Sequence, residues 1–311
     1  MVKRLINWVS ILALFILVLS FNNTSLASEN SSDEESINEK FGLPIVVYGA
    51  ALSPSQKEEV RDLLGVKDPS KVTEITVSGA DLETYIKGDS RANMYSSAKI
   101  TRKEMGEGLD IKQVTPENIT QVTNEMYANA LLTAGIEDAV VEVASPVKVS
   151  GHSALVGIYK AYDTGKGANL NTERTEVANE ELSLATNLAE KAGLDQDKVS
   201  ELLTEIKQEI ASQNPVSKAE IEQIINDKLK ELGINLSDAD RQLLIDLFEK
   251  MRNLNIDFDN VKSQLENLSK DIKNRIEETL GDTGFLQAVG DFFKSLIEGI
   301  KNLFESIKNM F

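Results

Sequence analysis

The sequence predicts an α+β protein, with a mixed strand/helix domain followed by an all-helical region and a C-terminal amphipathic helix. Three observations carry this. Between Pro44 and Tyr162, short β-rich runs alternate with capped helical patterns. After Asn171 the strand-like runs stop, and each segment repeats its apolar residues at helical spacing. The chain then ends in three copies of one heptad, starting at Asp291, Glu298 and Glu305.

The elements follow in order. Lys3 and Arg4, the apolar stretch Leu5 to Phe21 and the small residues of Ser25-Leu26-Ala27 form an export signal, residues 1–27, with cleavage expected before Ser28. Residues 28–42 are acidic and rich in Ser and Asn, too poor in apolar side chains to pack, and read as a disordered leader. The α+β domain spans 43–170. Ile45-Val46-Val47-Tyr48 is a buried strand, and Ser53-Pro54 starts a helix that stops at Gly65. Val72 to Val77 alternates as a strand, and Asp81 to Ile86 makes a short helix. Met94 to Arg102 and Leu109 to Val114 read as a hairpin closed around Gly106-Glu107-Gly108. Thr115 and Pro116 look like the cap and first residue of a helix running to Ala134, with Gly135 as its stop. Asp138 to Ala144 is a strand, and Gly151 to Tyr162 a helix.

In the helical region, 171–281, the segments 173–193, 195–212, 216–232, 237–254 and 258–280 are separated by turn signals such as Asn214-Pro215 and Gly233. Its many charges are expected on solvated faces. The two regions have residues enough for two small cores or one shared core.

The last segment, 282–311, carries a broad apolar stripe at 100° per residue. Phe292, Phe293, Leu296, Ile297, Ile300, Leu303, Phe304 and Ile307 are its candidate contact residues. Lys294, Lys301 and Lys308 face Asp291, Glu298 and Glu305, and six charges there exclude a bilayer span. The balanced polar face and strict seven-residue register favour a helical partner over lipid. Three contacts stay open: the chain's own helical region, a membrane surface, and a partner protein or a second copy.

Composition narrows the function classes. With no Cys there are no disulfides, thiolate metal sites or Cys nucleophiles. A formal net charge of −17 opposes nucleic acid, so no nucleic-acid partner is expected. No motif names a cofactor, a metal or a small-molecule ligand. His152, the sole histidine, has Ser153 beside it in sequence, where a helix would point the two apart. Asp163-Thr164-Gly165 and Asp282-Thr283-Gly284 lack the Ser or Thr that an aspartic-protease motif carries next, and read as turns. Asp257-x-Asp259 lacks the turn Gly of a calcium loop. On the helix drawn from Pro116, the polar positions Asn118, Thr120, Thr123, Asn124, Tyr127 and Asn129 are candidates for a polar binding groove. The competing reading is that they satisfy backbone groups near a helix start.

The order of several runs resembles one family. Gly108-Leu109-Asp110-Ile111 is followed by Asn118-Ile119-Thr120-x-Val122-Thr123 and by Tyr127-x-Asn129-Ala130-Leu131-Leu132-Thr133-Ala134-Gly135-Ile136. Next come Asp138-Ala139-x-Val141-x-Val143-Ala144-Ser145-Pro146 and Val149-Ser150-Gly151, then Ala178-x-Glu180-Glu181-Leu182. These runs are similar to the YpuA-like secreted proteins of Gram-positive bacteria, a domain of unknown function. The resemblance implies export and an envelope context, and it brings no catalytic residue or cofactor. The expectation is an exported, non-catalytic, envelope-associated protein that makes contact through its C-terminal helix. The alternative is an extracellular hydrolase using carboxylates of the α+β domain.

Overall fold

The computed structural model describes residues 40–165, 169–191 and 193–280. The export signal, most of the acidic leader and the C-terminal stripe residues Phe292 to Ile307 lie outside the described residues.

Five strands form one mixed sheet: β1 (Ile45–Gly49), β2 (Thr73–Val77), β3 (Ser97–Arg102), β4 (Leu109–Gln113) and β5 (Ala139–Ala144), in the spatial order β2-β1-β3-β5-β4. β1 runs parallel to β2 and antiparallel to β3; β5 runs antiparallel to β3 and parallel to β4. The hairpin expected from β3 and β4 is therefore corrected, because β5 lies between them. The amides of Gly106 and Gly108 donate to Asp138 Oδ1 (2.9 and 2.8 Å), so the glycine loop wraps the start of β5 instead of closing a two-strand turn.

Helix α1 (Pro54–Leu63) opens with a capping box between Ser53 and Gln56 and covers one face of β1 over Val46 and Tyr48. Helix α2 (Gly79–Ile86) follows β2. Gly49 lies so close to the backbone of Met94, in the loop before β3, that an added Cβ would fall 2.3 Å from the Met94 carbonyl oxygen. Helices α3 (Asn124–Ala134) and α4 (His152–Thr164) cover the other face, α4 over β1 and β3 and α3 over β4. Thr123, not Thr115, caps α3, eight residues later than the sequence reading. Thr115 Oγ1 accepts from the Ser145 amide (2.9 Å), and Asn118 and Thr120 exchange backbone bonds with Val149, which keeps 116–122 out of the helix.

The helical region comprises α5 (Thr172–Lys191), α6 (Gln196–Gln213), α7 (Lys218–Glu231), α8 (Asp238–Asn253) and α9 (Lys262–Leu280). Helices α5 to α8 close a ring, each packed on the next and α8 back on α5; α3 docks on α5 and α6, and α9 lies along α6. Apolar burial runs unbroken from Ile45 through Leu131, Ile158, Leu182, Leu203 and Phe248 to Leu265. The strand-bearing and helical parts thus share one core. The free edge of β4 is guarded by side chains: Gln264 of α9 accepts from the Leu109 amide (2.9 Å) and Asn124 of α3 from the Gln113 amide (3.0 Å).

Candidate functional site

The charged residues of the helical region do not all face solvent. Lys207 on α6 falls between Leu203 and Ile210, and Glu181 on α5 between Ala178 and Ala185. Both thus stand on apolar stripes, and helical geometry turns them inward. Their side chains are 0% and 1% exposed, and Lys207 Nζ lies 2.5 Å from Glu181 Oε1. The ammonium also donates to the Asn129 carbonyl oxygen (2.8 Å) and Asn129 Oδ1 (3.2 Å). Asn129 Nδ2 donates to Thr204 Oγ1 (2.9 Å), and Thr133 Oγ1 to Glu181 Oε2 (2.6 Å). The Phe258 ring covers the ammonium, with its centroid 5.7 Å away. Burial pushes the Lys207 pKa down, while Glu181 pulls it back up. The network pins α3, α5 and α6 into one mutual arrangement.

A second cluster lies between α6 and α9, which run antiparallel: Gln208 meets the Leu265 carbonyl at one end and Arg275 reaches Asp197 at the other. Arg275 grips Glu125 of α3 with both terminal nitrogens. Lys273 lies 2.7 Å from Glu205 and 4.0 Å from Glu201. Burial, then the Glu205 charge, push the Glu201 carboxyl up to about 7.

The six positions named for a polar groove take separate places. Asn118 Nδ2 donates to the Ser145 carbonyl (2.8 Å), Thr120 Oγ1 to that of Val149 (3.0 Å), and Tyr127 Oη to that of Gly151 (2.6 Å). Thr123 accepts from the Met126 amide (3.2 Å), and Asn124 guards the β4 edge. Asn129 alone belongs to the buried Lys207 network. Gly151 holds a φ of +106° beneath the Tyr127 hydroxyl, a conformation that suits glycine there.

The remaining candidates are also engaged by the fold. His152 is the first residue of α4, and its Nε2 lies 3.1 Å from Thr186 Oγ1. Burial lowers its pKa, with Glu190 opposing. Asp163 accepts from the Tyr85 hydroxyl (3.1 Å) and the Leu170 amide (2.8 Å). Asp257 Oδ1 accepts from the Asp259 amide (2.9 Å) within its own turn. In the strand-bearing half, Arg61 holds the Glu74 carboxyl below its ordinary range. For Asp81, burial acts upward but is outweighed by Lys160 and Ser78, so its pKa is lowered too.

The family model described as "Protein of unknown function (DUF1002)" matches residues 48–268. The chain belongs to the DUF1002 family. Within it, the chain is similar to the uncharacterized protein YpuA of Bacillus subtilis strain 168, at 36% identity over 299 residues, 94% of this chain and 97% of YpuA. No solved structure matches it. The DUF1002 match contains the whole sheet from Tyr48, the Lys207 network and the first turns of α9, and it stops before Lys273 and Arg275.

Proposed function

We propose that this DUF1002 chain is an exported, non-catalytic protein of the outer face of the cell envelope. It works by contact, through the stripe Phe292, Phe293, Leu296, Ile297, Ile300, Leu303, Phe304 and Ile307, with a membrane surface or a protein. The supporting observation is the way α9 is anchored. Arg275 clamps the helix to Glu125 and Asp197 shortly before Leu280, so the end of α9, from which the stripe follows in sequence, is fixed to the body. Leu265 and Ile272, which α9 buries, also stand at multiples of seven residues from Phe293, Ile300 and Ile307. The same seven-residue spacing of apolar residues therefore recurs in sequence on both sides of the Asp282-Thr283-Gly284 turn signal.

The alternative, an extracellular hydrolase using carboxylates of the α+β half, needs one carboxyl kept protonated near neutrality. Arg61 and Lys160 act on Glu74 and Asp81 in the opposite sense, while burial raises the Glu137 carboxyl, the one candidate for that role among these three. The test is flotation on phosphatidylglycerol and phosphatidylcholine vesicles together with sedimentation velocity, on the chain with and without residues 284–311. The reading expects flotation or self-association that disappears with the deletion. Identical behaviour of both forms in both assays removes it.

A further inference from the structure

Asp197, Glu201, Glu205 and Glu209 stand on α6 at every fourth residue, and so form one row along the helix. The two central side chains, Glu201 and Glu205, are each only 7% exposed. Among the described residues, four cations meet this row. From α9, Lys273 reaches Glu205 and Glu201, and Arg275 reaches Asp197 at 3.7 Å while gripping Glu125. From α7, Lys228 lies 3.8 Å from Glu205, 3.6 Å from Glu209 and 2.9 Å from Glu231. Lys198 of α6 itself acts on Glu201. With Glu125 and Glu231 included, carboxylates outnumber cations at this seam, and the crowding is relieved either by protons or by separating the helices. The apolar seam of α9 is narrow by comparison, with Leu265, Ile272 and Ile276 buried.

We propose that α9 is a proton-tuned strap, which lies on α6 most firmly when Glu201 in the carboxylate row is protonated and lifts more often as the pH rises toward neutrality. Lifting α9 opens one side of Glu201 to water and returns its carboxyl toward the ordinary value of 4.5 from about 7. The pKa is raised in the docked state, so docking is fully favoured below the lower value and weakens as the pH climbs through the higher one. With those two values, the lifted-to-docked ratio grows about tenfold between about pH 6 and pH 8. Lys273 and Lys198 oppose the upward shift, and Glu205 and Glu231 reinforce it.

Hydrogen exchange of the full chain, read by mass spectrometry and corrected for the intrinsic pH dependence of exchange, tests this. Protection of the α9 amides is expected to fall about tenfold between about pH 6 and pH 8, while α3 and α7 hold steady. Glu201→Gln, a neutral mimic of the protonated acid, is expected to flatten the dependence, and Lys273→Gln to steepen it. The proposal is overturned if α9 protection is independent of pH, if α9 exchanges only together with α3 and α7, or if Glu201→Gln keeps the full dependence.

Discussion

Replacing Glu181 by Ala strips a fully buried ammonium of its counter-charge. Lys207 is left with the two acceptors of Asn129, at 2.8 and 3.2 Å, and Thr133 loses the acceptor it holds at 2.6 Å. Breaking a buried ion pair from one side costs about 3–5 kcal/mol, because the remaining charge stays desolvated. With a urea slope of about 3 kcal/mol/M, the unfolding midpoint should drop by about 1–1.7 M. Lys207→Met should cost a similar amount, since Glu181 then keeps only the Thr133 hydroxyl. The double variant Glu181→Leu/Lys207→Met removes both charges together and should recover most of the loss, giving a coupling of at least about 2 kcal/mol. Urea unfolding followed by far-ultraviolet circular dichroism measures all four corners of the cycle. Single variants that each cost less than about 1 kcal/mol, or a double variant as unstable as the sum of the singles, would refute the view of Lys207 and Glu181 as a mutually dependent buried pair.

Two further outcomes are expected. Gly49→Ala places a methyl group 2.3 Å from the Met94 carbonyl oxygen and 2.8 Å from the Tyr95 Cα, so backbone must shift. Thermal unfolding should show a loss of about 1–3 kcal/mol, and an unchanged midpoint would contradict that packing. His152, as the sole histidine, gives one ring resonance, which should titrate below the ordinary 6.5 because burial disfavours the imidazolium. Stability tied to it is intact above that value and declines as the pH falls, since the unfolded chain takes the proton first. A folded-state midpoint at or above 6.5 would be the contrary result.

Elements fixed by local chemistry were readable from the sequence, and those fixed by distant partners were not. Ser53-Pro54, Gly135 and Asn214 mark helix ends through caps that need only neighbouring residues. The β3–β4 hairpin failed because strand pairing is non-local: the acceptor for Gly106 and Gly108 is Asp138, whose role nothing in residues 94–114 announces. Thr115-Pro116 imitated a helix start for the same reason, since the partner of Thr115 is the Ser145 amide. The buried pair did leave a trace. Lys207 four residues after Leu203, and Glu181 four after Val177, are charges on apolar stripes, a conflict that only an internal partner resolves. The carboxylate row at 197, 201, 205 and 209 was equally visible as a spacing. Reading it as a solvated face overlooked that α9 returns to cover it.

The placement of β5 bears on how the molecule comes together in time. This strand is the last of the five in sequence, yet it occupies the gap between β3 and β4. Until Ala139–Ala144 arrives, β3 pairs with β1 alone and β4 has no strand neighbour. An intermediate paused at that stage presents two unfinished ladders, the kind of surface that captures other chains. Closure waits on long-range contacts, which is slow, and then zips both ladders in one insertion. The α3 segment, which links β4 to β5 in sequence, also carries Asn129 of the Lys207 network. Completion of the sheet and formation of the Lys207 network therefore draw on the same stretch of chain.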